Sequence, residues 1–161
     1  MKKKKILKVT LYFILGIGIL IILTDPFCFW WYCYPDNSKR NATKSIHAQT
    51  VKYISAEIQG CALGDTTMMK GNLICSELNA ANVVDAAAKT LTNHLITYSI
   101  EYKNPYSTKN NAVRISTSST KDKDAGYINL SASGSDVVVK SCHTKPCSDE
   151  DNRKSETIEI K

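Results

Sequence analysis

The stretch Tyr127-Ile-Asn-Leu-Ser-Ala-Ser-Gly-Ser-Asp-Val-Val-Val-Lys140 decides how the chain is read. Tyr127, Ile128 and Leu130 fit one strand, and Val137–Val139 put three β-branched side chains in a row in a second. Gly134-Ser135-Asp136 between them is a turn signal. Working outward, Ala112–Thr117 predicts an earlier strand, followed by a charged connection at Thr120–Asp124. Asp149–Lys154 reads as a charged loop, and Thr157, Ile158 and Ile160 as a last strand. Upstream, Ile96, Tyr98, Ile100 and Tyr102 alternate with Thr97, Ser99 and Glu101, which suits a strand or a strained helical extension. Asn104-Pro105 marks a turn.

Before residue 96 the period is helical. Ile46, Val51, Ile54, Ile58 and Cys61 fall near one helical face, while Lys44, Lys52 and Glu57 fall elsewhere. Asn41 or Ser38 caps the start, and Gly60 and Gly64 bracket the end. His47 on this helix reads as a surface or core residue rather than a ligand. Asp65, Thr66, Thr67 and Gly71 mark a loop over Gly64–Asn72. A second helix is predicted over Ser76–Leu95, capped by Ser76 or Asn79, with Val84, Ala87, Ala88, Leu91 and Leu95 as its buried stripe. His94 near its end suits the helix dipole. Helices first and strands after give an α+β fold, with helices packed on an antiparallel sheet.

The 161 residues carry a formal charge of +6, from 21 Lys and Arg against 15 Asp and Glu. Five of those lysines (Lys2, Lys3, Lys4, Lys5 and Lys8) precede or enter an apolar run, which leaves 37–161 with 16 basic and 13 acidic residues. The basicity is therefore not a general nucleic-acid signature. From Ile6 to Leu23 the only charge is Lys8. As a helix this run reaches roughly 27 Å, enough for a thin hydrocarbon core. Asp25-Pro26 stops it, and Phe27, Phe29, Trp30, Trp31, Tyr32 and Tyr34 suit a membrane–water interface. The organisation expected is a cytoplasmic basic segment at 1–5, a transmembrane helix at 6–24, an aromatic interfacial linker at 25–38 and a periplasmic domain at 39–161. The lysines place the amino terminus in the cytoplasm. No small-x-small site precedes the bulky aromatics, so an uncleaved anchor is expected rather than a cleaved signal.

Six cysteines, Cys28, Cys33, Cys61, Cys75, Cys142 and Cys147, allow fifteen pairings. Local spacing and an oxidising compartment favour Cys61–Cys75 and Cys142–Cys147. Cys28 and Cys33 pair with each other, pair between chains, or stay free. A zinc site at Cys142, His143 and Cys147 lacks its remaining ligands. Asp122, Asp124 and Asp149–Asp151 lack the alternating ligands and terminal Glu of a calcium loop. There is no phosphate-cradling Gly-rich loop, no His-Glu-x-x-His pair and no Gly-x-Ser-x-Gly elbow. His47, His94 and His143 give a Ser-His-Asp site no local support. No catalysis, cofactor or small-molecule substrate is expected.

The stretch Asn41-Ala-Thr-Lys-Ser-Ile-His-Ala-Gln-Thr-Val-Lys-Tyr-Ile-Ser-Ala-Glu-Ile58, followed by Cys61-Ala-Leu-Gly64, resembles the exposed half of a bacterial type IV pilin's long helix and the start of its αβ-loop. Lys103-Asn-Pro-Tyr106, Ala125–Lys140 and the Cys142-to-Cys147 loop are similar to that family's sheet and disulfide-bounded region. The resemblance covers about residues 39–161. Lys8 stands where the family has its cleavage-site glycine, and Phe13 where it has a glutamate.

The resemblance implies a pilin-like head on a membrane anchor. Its role would be structural: a subunit, or a minor or accessory component, of a type IV pilus or related secretion filament. Its partners would be the inner membrane, other pilin subunits and the assembly machinery. The alternative expectation is a periplasm-facing binding module for DNA or surfaces, to which a head charge of only +3 adds little.

Overall fold

A computed structural model describes residues 27–93 and 102–160, with side chains over 36–92 and 102–160. The chain divides into two compact units, Met1–Asn37 and Ser38–Lys161. The second unit holds the sheet and both disulfides.

Helix α1 runs Phe27–Ala62. Among its described side chains, Thr43, His47, Thr50, Ile54 and Ile58 are buried. They recur every three or four positions and so share one face. Lys44, Ser45, Ala48, Lys52 and Ala56 are exposed. The helix unwinds around Gly64, whose φ of 108° suits the left-handed turn that ends many helices.

The Cys61–Cys75 disulfide then ties the end of α1 to the far side of a short ribbon, with Cα atoms 5.4 Å apart. Within this loop β1 (Thr67–Met68) pairs antiparallel with β2 (Leu73–Ile74). Its turn places Met69 and Lys70 in the left-handed region, at φ 52° and 58°. Burial of Met68, Met69 and Leu73 offsets that strain. The Met69 amide donates to Glu57 of α1. Asn72 Nδ2 donates to Thr90 Oγ1 at 2.8 Å, fastening the ribbon to the next helix.

Helix α2 spans Ala80–Asn93. It starts later than the predicted Ser76, because Cys75–Glu77 forms a separate 3-10 turn and Asn79 takes the cap. Asn79 Oδ1 accepts from the Asn82 amide at 2.9 Å, a cap worth about 1 kcal/mol. Of the expected stripe, Val84, Ala87, Ala88 and Leu91 are buried, together with Val83 and Ala86, and Leu95 lies outside the described residues. Its alanines bring the helix close to the main sheet, where it meets the strands Val113–Ile115, Ile128–Ser133 and Asp136–Cys142.

A small ribbon of β3 (Lys103–Asn104) and β4 (Ser107–Asn111) turns at Pro105-Tyr106. The main sheet has the order β5-β6-β7-β8, with β5 Val113–Ile115, β6 Ile128–Ser133, β7 Asp136–Cys142 and β8 Arg153–Glu159. β6 and β7 form the hairpin predicted around Gly134, with Leu130 opposite Val139. β7 and β8 pair antiparallel, with Val137 opposite Ile158. Val113, Ile128, Leu130, Val137, Val139 and Ile158 form one core with α1 and α2.

Three expectations need correction. The sheet is mixed rather than antiparallel, because β5 runs parallel to β6, with Val113 opposite Ile128. A parallel neighbour needs a long return path, and residues 116–127 supply it. Next, an N-terminal transmembrane helix is not supported. Among the described residues no helix is long and apolar enough to cross a membrane. The described part of α1 carries Asp36, Lys39, Arg40, Lys44, Lys52 and Glu57, and the expected span at 6–24 lies outside the described residues. Finally, the residues expected as an aromatic linker are helical from Phe27, with Pro35 inside the helix. His94 and most of the strand expected over 96–102 lie outside the described residues.

Candidate functional site

The C-terminal disulfide region is built where four segments meet. Cys142 ends β7 and bonds to Cys147 with Cα atoms 5.6 Å apart; both are fully buried. Among the described residues these two are the pair the short spacing favours, as are Cys61 and Cys75. The loop between them is held mostly by groups from elsewhere. Asp122 Oδ1 accepts from the Cys147 amide at 2.8 Å. Tyr106 Oη donates to the His143 carbonyl at 2.9 Å. The His143 amide donates to the Asn152 carbonyl at 2.9 Å, and Asn152 Nδ2 donates to the Pro146 carbonyl at 3.1 Å.

Asn104 and Gly126 lie behind this loop. Asn104 is fully buried; its Nδ2 donates to the Ala125 carbonyl at 3.1 Å, and its Oδ1 accepts from the Tyr106 amide at 2.7 Å. Gly126 lies against it with φ 80°, and its amide donates to the Cys142 carbonyl at 2.8 Å. A turn that demands a left-handed backbone and close approach calls for glycine.

The crossover 116–127 is anchored by Arg114. Its guanidinium bonds to Asp124 at 2.6 Å and to Asn129 Oδ1 at 2.7 Å, and stacks 3.8 Å from the Tyr127 ring centre. Burial pushes the Asp124 carboxyl up, but the Lys121 amide, Arg114 and Ser118 Oγ outweigh it and hold it below the usual carboxylate range. Asp124 and Asp122 are thus committed to holding the backbone, and Asp149 caps its own turn through the Asp151 amide. Among the described residues no group of three or more His, Cys, Asp or Glu is arranged to hold a metal ion. Cys142 and Cys147 are bonded to each other, so neither is a thiolate ligand beside His143.

The second feature is a polar seam under α1. Of the two places the sequence leaves open for His47, surface or core, it takes the core: it is 0% exposed, on the same face as Thr43, Thr50, Ile54 and Ile58. Its Nε2 lies 3.5 Å from Glu156 Oε1 on β8, long for a hydrogen bond. The signal was its spacing: His47 stands seven residues before Ile54, two helical turns up the same stripe. Ser141 on β7 shares the helix-facing side of the sheet, and its hydroxyl, like that of Thr50, has no partner among the described residues. Buried polar atoms without partners are uncommon, and their concentration here sets the seam apart from the rest of the core.

A groove of about 290 Å³ lies beside Thr117, Ser119, Thr120, Lys140, Arg153 and Lys154. Its cations are largely spent internally: Arg153 pairs with Glu150 at 3.5 Å, and Lys154 with Glu156 at 2.5 Å. No family model matches the chain, and no curated protein or solved structure matches it.

Proposed function

We propose that this chain is a pilin-like structural protein: a subunit, or a minor or accessory component, of a type IV pilus or related secretion filament. The head works in an oxidising compartment outside the cytoplasm. The observation that carries the reading is the order of parts. A 36-residue helix ends at a disulfide, a loop and second helix follow, and the last strands of the sheet border a second disulfide loop. Two disulfides accord with export.

The role is non-catalytic. α1 supplies a helical face that the head leaves exposed, lined by Lys44, Ser45, Ala48, Lys52 and Ala56, where other pilin subunits pack. The sheet and the Cys142–Cys147 loop form the outward surface and meet the assembly machinery or a target. The groove by Lys140 does not favour a DNA-binding module, because phosphate binding needs clustered free cations and most of those present are paired.

A photo-crosslinking residue in place of Ala48 tests the packing. In cells that also carry the assembly machinery, adducts at two or more chain masses are expected, and they disappear when the machinery is removed. Adducts identical with and without it would contradict the proposal.

A further inference from the structure

The polar seam joins two histidines that the structural role does not use. His47 on α1 is 0% exposed and His143 in the disulfide loop is 4% exposed. No ring nitrogen of either closes a hydrogen bond among the described residues. The backbone around His143 is fixed on both sides, by Asn152 and by Tyr106, so the ring is held in place although its polar atoms go unmatched.

The groups around the pair are mostly cationic. From β8, His47 faces Glu156 and Lys154, and it also faces His143. The charges of Lys44 and Arg40 on α1 disfavour a proton on His143, and the Asp151 backbone, in the turn before β8, favours one. Arg40 Nε is itself buried with no hydrogen-bond partner among the described residues. The Glu156 carboxylate, 3.5 Å from His47, is paired to Lys154 at 2.5 Å. A proton on either ring therefore places positive charge on a buried ring near Lys154, Lys44 and Arg40, with Glu156 offsetting part of that cost at His47.

We propose that His47 and His143 form an acid-sensitive latch, which neutral seats α1 and the Cys142–Cys147 loop on the sheet edge and protonated releases them. Burial holds both histidines below their ordinary value of 6.5; Glu156 opposes it at His47, while Lys44 and Arg40 add to it at His143. The unfolded or opened chain then binds protons that the seated form refuses. Stability from the latch is full above pH 6.5 and is lost as pH falls from there towards the depressed values. Glu156 is also held down, first by its hydrogen bond to Lys154, but its window starts at a lower value of 4.5. Mild acid thus reaches the histidines first.

Urea unfolding of the full chain at pH 7.5 and 5.5 tests this. The unfolding constant is expected to rise by up to about 100-fold, tenfold for each histidine. His47→Gln or His143→Gln alone should reduce that rise to about tenfold. A rise below about threefold in the unmutated chain would overturn the latch. Ring-proton NMR on the folded, unmutated chain checks the same point without a variant. Two of the three histidine rings should titrate below their ordinary 6.5, and both titrating near 6.5 would overturn it. Hydrogen exchange locates the opening. Amides over 43–50 should lose at least tenfold more protection than those of β6 and β7, and an equal loss throughout would refute a local release.

Discussion

Gly126→Ala is expected to destabilise the head by about 4 kcal/mol. An alanine in the left-handed region costs about 1–2 kcal/mol, and Gly126 has φ 80°. Its methyl would also collide with Asn104 Oδ1 and come within 2.8 Å of Tyr106 Cδ2. Asn104 is fully buried and cannot move without releasing the Ala125 carbonyl and the Tyr106 amide. Each buried group left unpaired costs about 1–3 kcal/mol. Tyr106 in turn holds the His143 carbonyl, so the damage spreads into the disulfide loop. Gly134→Ala is the control. Gly134 has φ 62° but nothing within 4 Å of an added methyl, so only the conformational cost of about 1–2 kcal/mol is expected. Urea unfolding of both variants checks the contrast. Equal losses would show that Asn104 does not depend on the glycine.

Removing the Cys61–Cys75 disulfide with a Cys61→Ala, Cys75→Ala double variant is expected to cost about 3 kcal/mol. The bond spans 14 residues, and closing a loop of about 15 residues restricts the unfolded chain by that amount. With a slope of about 2 kcal/mol per molar, the urea midpoint falls by roughly 1.5 M. The native state suffers as well, because the closed loop holds Met68, Met69 and Leu73 in the core and carries the left-handed Met69 and Lys70. Reducing the unmutated protein should give the same shift or more, since Cys142–Cys147 is lost too. No shift on reduction would mean that the bonds add no stability, and would remove the argument for an oxidising compartment.

Elements whose residues bury their own pattern were readable in the sequence. Val84, Ala87, Ala88 and Leu91 mark the inner face of α2, and the run Tyr127–Lys140 marks the central hairpin with its turn at Gly134. Partner choice was not readable. β5 is short, and its parallel place beside β6 is supported by Arg114, which clasps Asp124 of the crossover and Asn129 of β6, contacts with no local signature. The ribbon of β1 and β2 hid in a turn-rich loop because Asp65, Thr66 and Gly71 outweigh two methionines in any local count. The seam escaped for a different reason. A stripe counted in apolar residues runs through Ile46 and Val51, which are only partly buried, while the fully buried positions beside them are Thr50, His47 and Thr43. The polar half of a buried face becomes visible only when the helical spacing is counted back from Ile54 regardless of polarity.

The reading of this chain as a filament component is tested most directly by shearing. Cells expressing the chain would be vortexed, the released filaments collected by ultracentrifugation, and the chain quantified in that fraction with its thiol state. The structural role predicts the chain in the sheared filaments with Cys61, Cys75, Cys142 and Cys147 oxidised. Its complete retention in the cell fraction, while filaments are shed normally without it, would contradict that role.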